Sequence, residues 1–307
     1  MDKVTPHYYA GVETGGTNIK CIIASDPAHV VSEVVIPTLD PDITIQKVIQ
    51  FFKVGEKRYT IPITSMGIGG FGPLNLNPSS ASYGSITSTP KLKWQNYPLL
   101  ATMRNTFPFP IAIDTDVNAA LLGETRWGAG IGFTDLVYVT VGTGVGGGIL
   151  SNGKLVHGLI HPELGHMLIR HDFQTDPFEG ICPFHKDCLE GLASGVSMAA
   201  RWSTIPEHLP NNHPGWDLEA EYLAQMCINL TLMLSPQRII IGGGVPQHEG
   251  LLSLIRSKFQ SFLNKYLVSP SFSESIESYI VPPMLGHRAG IFGAIALAQK
   301  LINLEDG

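Results

Sequence analysis

Two glycine-rich turns, each set between short apolar segments, constrain the fold of this chain more than any other feature of its sequence. The first, at residues 13–17, separates YYAGV from IKCIIA, and the second, at residues 142–148, follows an apolar run that begins near residue 135. Such strand–turn–strand patterns are typical of β-hairpins. Further strand and helix patterns follow each hairpin. The sequence therefore predicts an internally duplicated α/β protein, with two lobes and a ligand cleft between them.

Glycine loops also mark places where a ligand can approach the backbone closely. The candidate loops are Glu13-Thr14-Gly15-Gly16-Thr17, Gly142-Thr143-Gly144 and, after a third apolar run, Gly242-Gly243-Gly244. Backbone N–H groups in such turns can hold the phosphates of a nucleotide, although ordinary hairpin turns have the same composition. The second loop matches G-x-G-x-x-G, but a hairpin pattern rather than a helix follows it, which argues against a Rossmann site. The first two loops contain no G-K-[ST], so this is not a P-loop protein.

A third feature is a pair of carboxylates where an apolar run gives way to an Ala- and Leu-rich helical pattern. Asp114, Asp116 and Asn118 occupy this transition. In open α/β sheets, ligands bind at the carboxyl ends of strands. A carboxylate there can accept a proton, hold a metal or bind sugar hydroxyls. The alternative is a simple helix N-cap, for which Asp116 or Thr115 is equally suitable.

Composition excludes several classes of protein. A chain of 307 residues with 44% hydrophobic and 15% charged residues can bury a large core, and its net charge of −6 argues against a nucleic-acid surface. No apolar run is long enough to span a membrane and the N-terminus has no signal-peptide core, so we expect no membrane partner. Four cysteines do not make a disulfide framework in a chain of this length. We expect a cytoplasmic protein with reduced thiols.

The segment around residues 182–188 carries metal-ligand spacing. Cys182, His185 and Cys188 form C-x2-H-x2-C, which supplies three of the four ligands of a tetrahedral zinc site. His166 is the predicted fourth ligand, with His161 and His171 as rivals. The alternatives are two unpaired cysteines or a Cys182–Cys188 disulfide.

Taken together, these motifs resemble the ROK family of sugar kinases. The resemblance runs from residue 9 to the last helical pattern and rests on ETGGT, GFGP at residues 70–73, Asp116-Val117-Asn118, GTGVGGG and Glu163-Leu164-Gly165-His166. It implies the two-lobed, actin-like (RNase H-like) sugar-kinase fold, with ATP and Mg²⁺ as cofactors and a structural Zn²⁺. It places one lobe at residues 1–118 plus the final helix near 290–303, and the other at residues 119–289. We also expect a homodimer that binds sugar and ATP.

The resemblance also implies roles for individual residues. Asp116 matches the catalytic base, and the three glycine loops match the nucleotide site. The expected substrate contacts are Gly70, Asn118, Glu163, His166 and Glu190. Two positions depart from the glucokinase-like relatives, because His185 stands where a third cysteine is usual and Glu13 where an aspartate is usual. Glu13 leaves open whether Mg²⁺ is bound directly or through water.

Within the family, residues 83–91, His161-Pro162-Glu163 and residues 182–195 resemble the fructokinase branch. The predicted reaction is therefore phosphorylation of D-fructose by ATP at the 6-hydroxyl. Other hexoses, namely mannose, glucose or N-acetylmannosamine, are alternative substrates within the class. A repressor of this family would carry a helix-turn-helix domain, for which we expect no room because the first glycine loop begins about a dozen residues into the chain. A non-catalytic sugar sensor is a further alternative, disfavoured by the presence of Asp116.

Overall fold

A computed structural model describes residues 7–89 and 91–303 of the chain. Pro90, which belongs to the segment resembling the fructokinase branch, and both ends of the chain lie outside the described residues. The strands are β1 (Tyr8–Thr14), β2 (Asn18–Asp26), β3 (His29–Pro37), β4 (Ile63–Gly70), β5 (Ile111–Thr115), β6 (Leu136–Val141), β7 (Val145–Ser151), β8 (Lys154–Leu155), β9 (Arg238–Gly242) and β10 (Ile280–Val281). The helices are α1 (Pro41–Tyr59), α2 (Leu99–Arg104), α3 (Asp116–Trp127), α4 (Leu189–Ala193), α5 (Gly195–Trp202), α6 (Gly215–Leu234), α7 (Leu251–Leu263), α8 (Pro270–Ser273), α9 (Ile276–Tyr279) and α10 (Ala289–Asn303).

The strands form two five-stranded sheets with the same topology. Their orders are β3-β2-β1-β4-β5 and β10-β9-β6-β7-β8. In each sheet a glycine hairpin is antiparallel, β1 with β2 and β6 with β7, whereas the later strands β4 and β9 run parallel to the first strand of their hairpin. The predicted internal duplication is therefore confirmed, and the glycine turns lie where the sequence places them.

The chain divides into two compact units. Of the described residues, the first unit holds those up to Ile131, His157–His161 and those from Arg288 onward, and the second holds Gly132–Val156 and Pro162–His287. The division thus falls after α3, whereas the resemblance predicts a boundary after Asn118. The physical reason is that α3 packs closely on α10, a first-unit helix.

Each unit has its own hydrophobic core. In the first, side chains of the sheet pack with those of α1 and α2, and Ile23, Met66 and Phe52 belong to this core. In the second, β6 and β9 pack with α6 and α7, and Val139, Ile241 and Phe259 belong to this core. Because alternate strand residues point to one face, both sheets present apolar rows to their helices. No helix among the described residues has the length and apolar character that crossing a membrane requires.

The sequence of residues 189–202 predicts one helix, which the structure divides in two. The helical pattern at residues 189–202 becomes α4 and α5, which meet at Ser194 in an extended conformation. The Ser194 side chain accepts a hydrogen bond from the Ser197 N–H at 3.1 Å and so caps α5. Serine favours this position because its hydroxyl satisfies an N–H that the helix leaves unpaired.

Candidate active site

The central carboxylates lie where β5 ends and α3 begins. Thr115, not Asp116, is the N-cap of α3, because its hydroxyl accepts from the Asn118 N–H at 3.1 Å. Asp116 is the first helical residue, and its carboxylate accepts from the Val117 N–H at 2.9 Å. The capping explanation for Asp116 therefore does not hold. A carboxylate at this point also has the favourable field of the α3 N-terminus.

Asp114 is buried and has a different environment. Its carboxylate accepts a hydrogen bond from the Asn118 side-chain amide at 2.7 Å, and the ring of His157 lies 2.9 Å away. The amide of Asn118 is thereby oriented, and its own side-chain oxygen is buried with no hydrogen-bond partner among the described residues. His157 was not predicted as a site residue. Its only signal in the sequence is that residues 157–185 contain five histidines, of which it is the first.

The first glycine loop is the tight turn between β1 and β2. The Gly15 N–H donates to the Asn18 carbonyl at 2.9 Å, and the Thr38 hydroxyl donates to the Gly15 carbonyl at 2.7 Å. Thr38 also donates its backbone N–H to Thr17 at 2.8 Å. These bonds fix the loop, which includes Gly16, in one conformation.

Glu13, the first residue of this loop segment, forms an ion pair with Lys20. Lys20 contacts both carboxylate oxygens, at 3.0 and 3.1 Å. The carboxyl group of Glu13 also packs against Gly290 in the first turn of α10. A Cβ added to Gly290 would lie only 2.6 Å from the carboxyl carbon of Glu13. The helix N-terminus and the ammonium group both stabilise the ionised carboxylate. The position of Lys20 was missed because only the antiparallel pairing of β1 with β2 brings it opposite Glu13.

Gly70 ends β4 and opens the segment that follows it. The Phe71 N–H donates to the Thr14 hydroxyl at 2.9 Å, and the Leu74 N–H donates to the ring of His161 at 3.2 Å. The peptide bond between Gly72 and Pro73 is cis. His161 therefore anchors this segment of the first unit, and it does not join the cluster of metal-ligand residues described below.

The second and third glycine loops lie side by side in the second unit. The Gly142 N–H donates to the Gly144 carbonyl at 2.9 Å, which closes the turn around Thr143. Gly243 has a φ of 101°, and a side chain there would overlap the backbone of Val141, at the end of β6. Gly242 and Gly244 flank it. Close backbone approach of this kind suits a flat surface on which a nucleotide can lie.

The four predicted metal ligands meet in one place. Ligand atoms of His166, Cys182, His185 and Cys188 all lie within 4.8 Å of one another. The Cys182 sulfur is 3.7 Å from Nδ1 of His166 and 3.7 Å from Nδ1 of His185, and the Cys188 sulfur is 3.6 Å from Nδ1 of His166. A tetrahedral zinc site places its sulfur and nitrogen ligands about 3.6 Å apart. The residues therefore fit a four-coordinate metal ion.

Burial raises the pKa of the Cys188 thiol to about 11, so a bound cation would be needed to hold this side chain as a thiolate. All four cysteines are free thiols, which excludes the Cys182–Cys188 disulfide. The rival ligand His171 is engaged elsewhere, because its ring lies 3.2 Å from Asp187 and 3.0 Å from the Asp176 carbonyl.

The sugar-contact candidates of the second unit adjoin the metal cluster. Glu163 immediately precedes the 3-10 helix Leu164–His166, and Glu190 lies in the first turn of α4. The Nε2 atom of His166 is 4.0 Å from a carboxylate oxygen of Glu190. The other carboxylate oxygen of Glu190 accepts a hydrogen bond from the Val145 N–H at 2.9 Å. Glu190 thus contacts the second glycine loop, which its sequence position did not indicate.

Comparisons with known proteins identify the family. A family model described as the ROK family matches residues 9–301. A fructokinase from Lactococcus lactis subsp. cremoris is 41% identical over 299 residues, which cover 97% of this chain and 99% of that protein. A fructokinase from Zymomonas mobilis subsp. mobilis is 41% identical over 298 residues, covering 96% of this chain and 97% of its own.

A solved structure shows the same fold. A ROK family glucokinase from Streptomyces griseus, in complex with glucose and AMPPNP, matches with a TM-score of 0.73 at 23% identity, covering 95% of this chain and 99% of its own. The predicted actin-like sugar-kinase fold is therefore confirmed. A family model that matches nearly the whole chain, together with relatives that align from end to end, establishes that this protein is a member of the ROK family.

Proposed function

We propose that this protein transfers the γ-phosphoryl group of ATP to the 6-hydroxyl of D-fructose. The observation that carries the proposal is the strand-end carboxylate Asp116, which occupies the first turn of α3 in a chain 41% identical to fructokinases over nearly its whole length. Phosphoryl transfer requires positioning, charge stabilisation and one group that takes the acceptor proton. Asp116 supplies the last of these.

The chain's other residues divide the remaining tasks. The loops Gly15-Gly16-Thr17, Gly142-Thr143-Gly144 and Gly242-Gly243-Gly244 offer backbone N–H groups to the nucleotide. Mg²⁺ bound to ATP would neutralise phosphate charge, and Glu13, whose carboxylate forms an ion pair with Lys20, is the residue we assign to its coordination sphere. The groups that we assign to the sugar are Gly70, Asn118, Glu163, His166 and Glu190.

The metal cluster has a structural role in this proposal. His166, Cys182, His185 and Cys188 provide four protein ligands, so a zinc ion there would have no open position for water and would supply no chemistry of its own. It would hold His166 with Nδ1 on the ion and Nε2 protonated toward the sugar. We further propose that the protein is cytoplasmic and that it forms a homodimer. Light scattering of the purified protein would test the oligomeric state.

The test is a coupled spectrophotometric assay with ATP, Mg²⁺ and a panel of hexoses. We expect kcat/KM for fructose to exceed that for glucose, mannose and N-acetylmannosamine by at least about tenfold, because polar groups placed for one set of hydroxyls are left unpaired by another. A preference for a different hexose would overturn the assignment of fructose and leave the kinase activity in place. No phosphorylation of any hexose would overturn both.

A further inference from the structure

The segments that carry the metal ligands are built directly on the second glycine loop. Gly165, next to the ligand His166, packs so closely on β7 that a methyl group there would overlap the Val145 carbonyl. In the same way, a methyl group on Gly147 of β7 would overlap the side chain of Leu164. The 3-10 helix Leu164–His166 therefore rests on the strand that leaves the loop. Contacts this tight transmit displacement, because packed interiors have little room to absorb it.

A second attachment comes from the other side of the metal cluster. The Gly195 N–H, at the start of α5, donates to the Gly142 carbonyl at 2.7 Å. The Glu190 carboxylate accepts from the Val145 N–H at 2.9 Å. Helix α4, which begins directly after the ligand Cys188, therefore holds the Val145 end of the loop, and α5 holds its Gly142 end. The backbone of Glu190 is itself held by the Ser197 hydroxyl, at 2.7 Å from its carbonyl oxygen.

Glu190 also faces the metal cluster. One carboxylate oxygen lies 4.0 Å from Nε2 of His166, which is too far for a direct hydrogen bond. A hydroxyl group about 2.8 Å from both atoms would accept from the ring N–H and donate to the carboxylate. A metal ion on Nδ1 of His166 would fix the orientation of the ring, so that its Nε2–H is directed toward Glu190.

We propose that Glu190 is a positioning residue that couples the metal site to the nucleotide affinity of the loop Gly142–Val145. This inference rests on the proposed function, which assigns that loop to ATP. A loaded metal site holds His166 and α4 in place, α4 holds Glu190, and Glu190 holds the Val145 N–H. Without this acceptor, the peptide of Val145 is no longer fixed, and the loop must be ordered each time a nucleotide binds.

Two substitutions separate positioning from charge. Glu190→Gln retains a side-chain oxygen that can accept from the Val145 N–H, whereas Glu190→Ala removes the acceptor. If Glu190 acted only by repelling phosphate, both variants would bind nucleotide more tightly. If it acts by positioning, only the alanine variant weakens binding. Glu179→Ala is the matched control, because Glu179 is an exposed glutamate of the same segment.

The experiment is calorimetric titration with AMPPNP and Mg²⁺, without sugar, on metal-loaded and chelator-stripped proteins whose folding is checked by thermal unfolding. We expect Glu190→Ala to weaken AMPPNP binding about tenfold, and Glu190→Gln and Glu179→Ala to remain within about twofold of wild type. Stripping the metal should weaken AMPPNP binding about fivefold or more in wild type and have no further effect in Glu190→Ala, since coupled sites are not additive.

Three outcomes would overturn the inference: equal effects of Glu190→Ala and Glu190→Gln, no effect of either, or an undiminished effect of stripping in Glu190→Ala. If Glu190→Ala does not fold, two other proteins still test the inference. Coupling requires that Glu190→Gln bind AMPPNP with normal affinity and that chelator-stripped wild type bind it weakly. Wild type that phosphorylates fructose without this pattern loses the coupling and keeps the proposed function. If the expected AMPPNP affinities are found but wild type does not phosphorylate fructose, the coupling is supported and the proposed function is overturned.

Discussion

At the residue scale, two aspartates separated by one residue have different environments. Asp114 is 6% exposed and is bonded by Asn118 and His157, whereas Asp116 stands at the first position of α3. The contacts of Asp114 with Asn118 and His157 occupy its carboxylate and fix the orientation of the Asn118 amide. Asp114 is therefore placed to orient Asn118, and Asp116 is the better candidate for the base that accepts the substrate proton.

Replacing Asp116 with asparagine tests this division. Asp116→Asn keeps the size of the side chain and removes its basicity, so we expect kcat for fructose to fall at least about 100-fold with KM changed much less. Asp114→Asn is the comparison. It disturbs the amide of Asn118, so we expect it mainly to raise KM. Steady-state kinetics of both variants decides, and near-normal turnover by Asp116→Asn would assign the proton transfer to another group.

Buried Glu219 of α6 gives a second test at this scale. Both of its carboxyl oxygens are buried without a hydrogen-bond partner among the described residues. Burial raises its pKa well above 4.5, against the opposing effect of the Arg201 charge. The folded protein therefore retains a proton that the unfolded chain releases above about pH 4.5. Since the folded state binds more protons, the free energy of unfolding falls as pH rises through this range.

Glu219→Gln removes the ionisable group and should remove this cost. We expect the variant to be more stable than wild type at about pH 8, by about 1–2 kcal/mol, and to lose less stability between about pH 5 and pH 8. Urea unfolding at several pH values measures both effects, with the exposed Glu179→Gln as control. Equal pH dependence in the variant and wild type would show that Glu219 is ionised in the folded protein.

At the element scale, the crossing of α3 and α10 depends on two glycines. A Cβ on Gly123 would lie 2.6 Å from the Ala289 carbonyl oxygen, and one on Gly293 would overlap the Ala119 carbonyl. The two helices therefore pack backbone to backbone, and α3 is the helix that carries Asp116. Small residues are required here for close approach, although glycine itself lowers helix stability.

Gly293→Ala tests this contact. Alanine favours a helix by about 1 kcal/mol over glycine, yet the added methyl group must separate the two helices. We expect a net loss of at least about 2 kcal/mol in the free energy of unfolding. Gly158→Ala is the control, because the nearest atom to a Cβ there is 3.7 Å away. A stabilised Gly293→Ala would contradict the close crossing.

Sequence patterns predicted the elements better than the contacts between them. Glycine turns between apolar runs located both hairpins, because a hairpin is a local structure. Ser194 was missed as a break between α4 and α5, since its capping hydroxyl outweighs the helical pattern around it. Two contacts were missed for a different reason. The contact of Lys20 with Glu13 depends on the register of the β1–β2 hairpin, and that of His157 joins it to Asp114 in a distant segment of the chain. Periodicity shows neither.

At the scale of the whole molecule, the duplication produces two units with the same sheet topology and separate cores. They have diverged in what they add to the sheet. The second unit inserts a long segment, residues 162–188, much of which has no helix or strand. A segment of this length buries little apolar surface of its own and needs another source of order, for which a metal with four protein ligands is well suited.

The last prediction concerns this source of order. Metal analysis should find one zinc ion per chain, and removing it with a chelator should increase amide hydrogen exchange in residues 164–195 and 142–148. Exchange in β1 and β4 should change little, because the first unit has its own core.

Fructose affinity should fall with zinc removal, since His166 loses its fixed orientation. Cys188→Ser should reproduce these effects, and added zinc should reverse them in the chelated wild type but not in this variant. An equal increase of exchange in both units would show that the metal stabilises the whole chain rather than one segment. Unchanged exchange throughout would remove its structural role.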